Sequence, residues 1–300
     1  MMRPQGDGGP TMIGVERMCA LAGVSRASFY RHWCKREPQR EETALRDVLQ
    51  RLALAHRFYG YRRITALLRR EGFAVNRKRV ARMMAEDNLL CLRRHAFAPP
   101  TTNSRHDFRV WPNLARRLVP MATDQLWVAD ITYVRLGAAF VYLAVILDAY
   151  SRKVVGWAME DHLKAQLAVS ALEMALASRQ VISGGLVHHS DRGIQYACGD
   201  YIERLQAAGI QPSMSRAGCP YDNAMAESFM KTLKLEEVDG SAYADLATAR
   251  AAIGAFLETV YNQTRLHSAL DYLSPAEFET RSASWAAAQQ PMTLAINDCH

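Results

Sequence analysis

Between residues 125 and 161 three β-rich runs follow one another almost without pause: "QLWVADITYVRL" (125–136), "FVYLAVILDAYS" (140–151) and "KVVGWAMED" (153–161). Their short polar or Gly-containing connections predict a meander of antiparallel strands. The period then changes. "HLKAQLAVSALEMALASR" (162–179) reads as a helix, "GGLVHHSD" (184–191) as a short buried strand, "GDYIERLQAAG" (199–209) as a helix closed by Gly209, and "IQPSMS" (210–215) as another strand. Three strands followed by helix, strand, helix, strand describe an α/β fold: a mixed sheet with helices on its faces.

The chain ahead of this sheet is of another kind. Residues 1–110 hold 22 Lys/Arg against 10 Asp/Glu, whereas residues 111–300 hold 15 against 20, within a net charge of +7. Such asymmetry suggests a basic module for a polyanion joined to a body with a different task, the plain alternative being a solvated basic surface. The basic third reads as small helices. "VERMCALAGVSRASFYRHW" (15–33) has helix-turn-helix phrasing, with Gly23 at the turn and Ser25 as an N-cap. A stronger example follows: "YRRITALLRREG" ends at Gly72, "FAV" makes the corner, and Asn76 can cap "NRKRVARMMAEDNLL". Arg77, Lys78, Arg79 and Arg82 then fall in the first turns of a recognition helix, within reach of phosphates or base edges, unless the hairpin merely packs. "ETALRDVLQRLALAHRFYG" (42–60) lies between the two, with Leu45, Val48, Leu49 and Leu52 on one side as core, connector or dimer seam. The expected organisation is a helical DNA-binding region at 1–90, a basic linker at 91–120, the sheet-bearing body at 121–280 and a tail at 281–300.

Several classes are disfavoured. The N-terminus lacks the apolar core of a signal peptide, and the longest apolar run, "AAFVYLAVIL" (138–147), is too short to span a membrane and ends at Asp148. A cytoplasmic protein is expected. Six cysteines with no pair closer than 15 positions spell neither a zinc cluster nor a redox CxxC.

Three acids stand in unusual places. Asp130 interrupts the apolar run of the first strand, where an ionised carboxylate is costly unless something positive sits against it, although a buried Asp bonded to backbone donors is the commoner case. Asp191 closes the fourth strand within "HHSDRG", which by itself is ordinary turn chemistry. In "GCPYDNAMAESFMKTLKLEEV" (218–238) a helical projection puts Asn223, Glu227, Lys231 and Lys234 on one polar stripe, opposite Met225, Ala226, Phe229, Met230 and Leu233. A solvated Glu227–Lys231 pair is the bland account of that stripe. The 35 residues from Asp191 to Glu227 carry no weight as a spacing; the placements, a strand end and a helix face, do.

"WVADITYV", "HHSDRGIQYA", "GCPYDNAMAESFMKTLKLE" and "YNQTRLHSALDYLSPAEF" (261–278), in this order, resemble the OrfB-type transposases of bacterial insertion sequences, whose core is similar to the retroviral integrase catalytic domain. The resemblance extends from about residue 15 to 280. It implies an RNase H-like fold, an Asp-Asp-Glu triad carried onto Asp130, Asp191 and Glu227, and a DNA-binding role for the helices of residues 60–90. Three carboxylates without an activated Ser, Tyr or Cys suit hard divalent cations, Mg²⁺ or Mn²⁺. A pair of such ions can promote in-line phosphoryl displacement, and by resemblance Asp130 would bridge them. His188, His189 and Arg192 are then expected to steer DNA or shape the ligand shell, unless the histidines are packed strand residues. Lys231 and Lys234 are expected to hold phosphates flanking the scissile bond. The implied activity is cleavage and strand transfer at element ends, against two alternatives: an RNase H-like nuclease without strand transfer, or a DNA-binding regulator with an inactive core. The implied partners are DNA, further copies of the chain, and an upstream OrfA protein as partner or frameshift fusion, since no sustained heptad is present here.

Overall fold

The runs at 125–161 pair as their short connections predict. The computed structural model describes residues 14–33, 40–89, 91, 108–137, 139–216 and 219–289. The first dozen residues, residues 92–107 of the expected linker, Gly218 and the end of the tail lie outside the described residues. Strands β1 (Leu126–Leu136), β2 (Ala139–Asp148) and β3 (Val154–Glu160) form an antiparallel meander. β4 (Val187–Ser190) adds to the other side of β1 in parallel and β5 (Gln211–Met214) follows it, giving the order β3-β2-β1-β4-β5.

Both faces of the sheet are covered, which is why β2 is apolar along nearly its whole length instead of alternating. Helices α6 (Ala165–Ser178), α7 (Ile194–Ala197) and α8 (Gly199–Ala207) pack on Trp127, Ala129, Ala144 and Ile146. Helices α9 (Ala224–Leu233) and α10 (Leu246–Ala255) cover Val128, Leu143, Val145 and Leu147 on the opposite face. The stretch 218–238 is not one uniform helix. A 3-10 turn over Pro220–Asn223 precedes α9, and a π-helical segment over Lys234–Val238 extends it.

In the helical region, α1 (Val15–Leu21) and α2 (Arg26–Trp33) flank Gly23 at φ +64, and the Ser25 hydroxyl accepts from the Ser28 N–H at 3.1 Å as an N-cap should. Helices α3 (Arg40–Ala55), α4 (Tyr61–Arg70) and α5 (Arg77–Glu86) share a core of Leu45, Leu49, Leu52, Ile64, Leu68, Val80 and Met83. Among the three roles open to α3, core is therefore the one it fills. The Asn76 side chain caps α5, accepting from Lys78 N at 2.7 Å.

This region docks on the end of the chain. α10 runs on as a π-helical segment (Phe256–Thr264), and the next turn inserts Leu266 into the α3–α5 core while its N–H donates to Tyr59 Oη at 2.9 Å. Arg70 forks onto Glu277 of α11 (Pro275–Gln289) at 2.9 and 3.0 Å. The "YNQTRLHSALDYLSPAEF" stretch thus joins the helices to the sheet.

β3 and α6 approach closely at Gly156, where an added Cβ would run into the Ala171 carbonyl and lie 2.8 Å from Ala175 N, both backbone atoms of α6. Gly156→Ala should therefore cost about 1–3 kcal/mol or more by overpacking. A drop in the thermal unfolding midpoint checks it; an unchanged midpoint would mean that α6 can lift away freely.

Candidate active site

The β1–β4 register determines what stands on the rim of the sheet. Val128 pairs with His189, so two residues further along each strand Asp130 comes beside Asp191. Asp130 is half-buried, and its carboxylate accepts the Ile131 N–H at 2.8 Å. Asp191 turns back to accept the Gly193 N–H at 2.9 Å, the turn chemistry its sequence suggests. Glu227 comes from the first turn of α9, whose start is held on β1 by Asn223: its Nδ2 donates to the Ala129 carbonyl at 3.0 Å. The approach to α9 is braced by Arg216, which donates to both carboxylate oxygens of Asp222 at 3.0 Å.

The three acids feel one another. Burial, then Asp191, then Glu227 push the Asp130 carboxyl up to about 7, against the pull of the Ile131 N–H and Lys234. They do not bring one oxygen each within 4.8 Å of one another, as a single-ion cage would. Glu160, Asp161 and His162 beyond β3 do meet that distance, but Glu160 pairs with Arg250 and Asp161 is exposed, so that group reads as ordinary surface.

Of the flanking residues expected to serve DNA, the two histidines turn inward. His188 is buried and its Nε2 lies 3.0 Å from Tyr201 Oη, while burial and His189 push its pKa down to about 3. His189 sits between Ser213 Oγ at 2.8 Å and Ser215 Oγ at 3.1 Å, its pKa also lowered by burial. Both are packed strand residues that lock β4 to its neighbours. Arg192 Nε donates to the Ser215 carbonyl at 2.7 Å, tying the ends of β4 and β5. Lys234 lies over the Tyr133 ring at 4.3 Å; burial lowers its pKa, with Asp239 and Asp130 opposing. Lys231 is exposed, and no ion pair joins it to Glu227 among the described residues. Arg77, Lys78, Arg79 and Arg82 are all exposed on α5, Arg79 lying 3.9 Å from Glu42 and Arg82 3.4 Å from Glu86.

Two residues of the site escape a sequence reading. Asn223, expected on the polar stripe, is buried against β1, and its Oδ1 has no partner among the described residues. Tyr196 is buried beside Asp130 and Asp191, its hydroxyl likewise unpartnered and its pKa raised by burial and by those acids. Their short sequence distance from the acids was the available signal.

Comparison with known proteins gives the same outline. Integrase core domain profiles match residues 121–220 and 208–275, and an HTH-like domain profile matches residues 39–97. The insertion element IS600 uncharacterized 31 kDa protein of Shigella sonnei is 38% identical over 275 residues, 90% of this chain and 100% of that protein. Transposase InsF for insertion sequence IS3A of Escherichia coli K12 is 35% identical over 277 residues, 90% of this chain and 95% of that one. The chain belongs to the insertion-sequence transposases with an integrase core. Among solved structures, the HTLV-2 integrase catalytic core domain in complex with magnesium aligns with 53% of the transposase and 98% of its own chain, at 16% identity and a TM-score of 0.42. The HTH-like match takes in α3, α4 and α5 of the transposase and leaves out the earlier pair at 15–33.

The pH dependence of the rim has a definite sign. Because the Asp130 pKa rises from 3.8 to about 7 on folding, the native state holds more protons than the unfolded one in that window, and stability falls as pH rises through it. In chelator at pH 8, Asp130→Asn should therefore raise the unfolding midpoint, by about 2–4 °C per kcal/mol of repulsion removed. The difference should vanish below pH 4. A variant less stable than the parent at pH 8 would contradict this.

Proposed function

We propose that the chain is a transposase that binds element-end DNA and cleaves and joins phosphodiester bonds at Asp130, Asp191 and Glu227. The observation that carries this is the convergence of three half-buried carboxylates from two strands and a helix, with Asp130 raised by burial and then by the charge of the other two. Carboxylates pressed together in this way call for a cation. Their oxygens are the hard donors that Mg²⁺ or Mn²⁺ takes, and the buried Oδ1 of Asn223 adds an acceptor nearby. By the resemblance to integrase cores, two such ions roughly 3.5–4 Å apart would share these carboxylates. Bound there, divalent cations would supply the Lewis acidity that makes a water or a 3′-hydroxyl nucleophilic and neutralises the leaving oxygen.

The protein's own groups position the DNA. Arg77 and Lys78, at the start of α5 with no acid against them among the described residues, present positive charge beside helix N–H groups to the backbone of a duplex. Arg79 and Arg82 extend the same surface. Lys231 and Lys234 follow Glu227 along α9 and can hold phosphates on either side of the bond that is cut, with Arg192 beside Asp191 at the same rim. Tyr196, buried near the two aspartates, leaves its hydroxyl without a partner among the described residues. Joining two ends to a target calls for more than one active site, so the working unit is a multimer of this chain on DNA, with an OrfA protein as a further candidate partner. No helix among the described residues is long and apolar enough to cross a membrane.

Asp130→Asn, Asp191→Asn or Glu227→Gln should each abolish Mg²⁺- or Mn²⁺-dependent cleavage of end-bearing DNA while leaving DNA binding intact. Near-normal cleavage by any one of them removes that residue from the site. Joined products, scored on the same gels, separate a transposase from a nuclease that only hydrolyses. For the phosphate-holding lysines, Lys231→Glu with Lys234→Glu should keep the fold and metal binding yet sharply reduce cleavage of an element end. Cleavage equal to the parent's would leave those lysines as ordinary surface.

A further inference from the structure

On the far side of α9 from Glu227 lies a second polar centre. Met225, Ser228, Phe229 and Thr232 line one wall of a cavity of about 200 Å³ whose other walls include Arg63, Arg152, Arg265 and His267. In the helical projection Met225 and Phe229 of this wall lie opposite Glu227, with Ser228 and Thr232 between. The arginines arrive from three separate elements: Arg63 from α4, Arg152 from the β2–β3 turn, and Arg265 from the end of the π-helical segment.

Among the described residues, one carboxylate serves this group directly. Glu236 accepts Arg265 Nε at 2.9 Å and its NH2 at 2.8 Å, and stands 3.9 Å from Arg63. Arg152 makes no ion pair or side-chain hydrogen bond among the described residues. Its other titratable neighbours are Tyr261 and Asp148, and the Asp148 carboxylate is already occupied by the N–H groups of Asp124, Tyr150 and Ser151 at 2.7–2.9 Å. The crowding is felt by the neighbours. Burial, then Arg265, Arg63 and Arg152 push His267 down to about 3, so it stays neutral. Burial and Arg265 lower Arg63 itself, and burial lowers Arg152.

The backbone is bent to build this cavity. Arg152 sits at φ +63, the left-handed region that favours Gly or Asn, in a turn fixed by Asp148. A bulky residue held in that conformation, with its charge directed into a cavity shared by three arginines, marks a site that expects an anion. Space for about seven waters accommodates a tetrahedral oxyanion with part of its hydration, and the Ser228 and Thr232 hydroxyls on the same wall can contribute hydrogen bonds.

We propose that this cavity is a phosphate-binding site in which Arg63, Arg152 and Arg265 grip a backbone phosphodiester of bound DNA and clamp the helical region to the sheet. The group held is not the one that is cut, since roughly a helix diameter, ~10 Å, separates this face of α9 from Glu227. DNA as the source of the phosphate rests on the function proposed above; the anion chemistry of the cavity does not.

The test uses the full chain and Arg152→Gly, a replacement suited to the positive φ, so that the guanidinium is lost without added backbone strain. Arg63→Gln is the second variant should the first unfold. Inorganic phosphate, compared with chloride at matched ionic strength, should raise the unfolding midpoint of the parent and lose most of that effect in the variants. With a duplex from the inverted repeats flanking the gene, the slope of log affinity against log salt should fall by about one in the variants. Both results together support the proposal. A phosphate response with an unchanged salt slope overturns DNA as the source and leaves a site for free phosphate. Absence of any phosphate-dependent stabilisation in the parent overturns the site itself. If the parent binds no DNA at all, the function proposed above fails, while the phosphate arm still decides the cavity.

Discussion

The parallel pairing of β1 with β4 is the contact on which the candidate site depends. β4 is four residues long and wholly buried, so its register has little length to hold it, and a slip of one residue would turn Asp191 to the other face of the sheet. The strand compensates with side chains. His188 and His189 point to opposite faces, each kept neutral by burial and each satisfied by hydroxyls: Tyr201 on one side, Ser213 and Ser215 on the other. Replacing either with an aliphatic residue would orphan buried hydroxyls, at about 1–3 kcal/mol each, and loosen the register that aligns two aspartates. The histidines of "HHSDRG" therefore act on the chemistry only through the geometry of the strand.

A second dependence runs through the segment after α10. Arg265 and Glu236 form a nearly fully buried ion pair, and Arg63 of α4 reaches toward the same carboxylate. Buried pairs of this kind add little net stability, because desolvation offsets most of the attraction. Their value lies in specifying one arrangement. Here the pair stands where α4 meets the segment after α10, Arg63 lying 3.9 Å from Glu236 and Leu266 inserted as the apolar part of the joint. Under the proposed function, DNA on α5 and DNA at the acidic rim would then be held in a fixed relation.

Much of this was legible in the sequence, and the exceptions have a common cause. The antiparallel meander, both later strands, the Gly209 and Gly72 helix ends, and the Ser25 and Asn76 caps all rest on local rules, and all are present. The meeting of Asp130 and Asp191 also followed once their strands were neighbours. What local periodicity could not supply was contact between elements distant in sequence. Asn223 looks like a member of a polar stripe until the 3-10 turn before α9 swings it onto the Ala129 carbonyl. The histidines could steer DNA or pack within the strand until Tyr201 of α8 meets one and Ser213 and Ser215, in and just after β5, meet the other. Arg63, Arg152 and Arg265 are separated by 89 and 113 positions and resemble three surface residues until the fold brings them into one cavity.

Helix α9 thus stands between two regions of opposite charge. One face presents Glu227 to the rim that carries Asp130 and Asp191, whose charges push the Asp130 carboxyl up after burial does. The other closes a cavity carrying three arginines against one glutamate. On the proposed function that rim's own field does not attract a polyanion, and the attraction comes from α5, from Lys231 and Lys234 beyond Glu227, and from the arginine cavity. Binding energy obtained away from the reacting bond can hold DNA against a site that is unfavourable to it in the ground state. On the proposed function the rim would become favourable once divalent charge is bound, which would couple strand engagement to metal binding without a moving part. Glu227, Lys231 and, just past the end of α9, Lys234 share one side, Met225 and Phe229 close the arginine cavity on the opposite side, and Ser228 and Thr232 stand between the two.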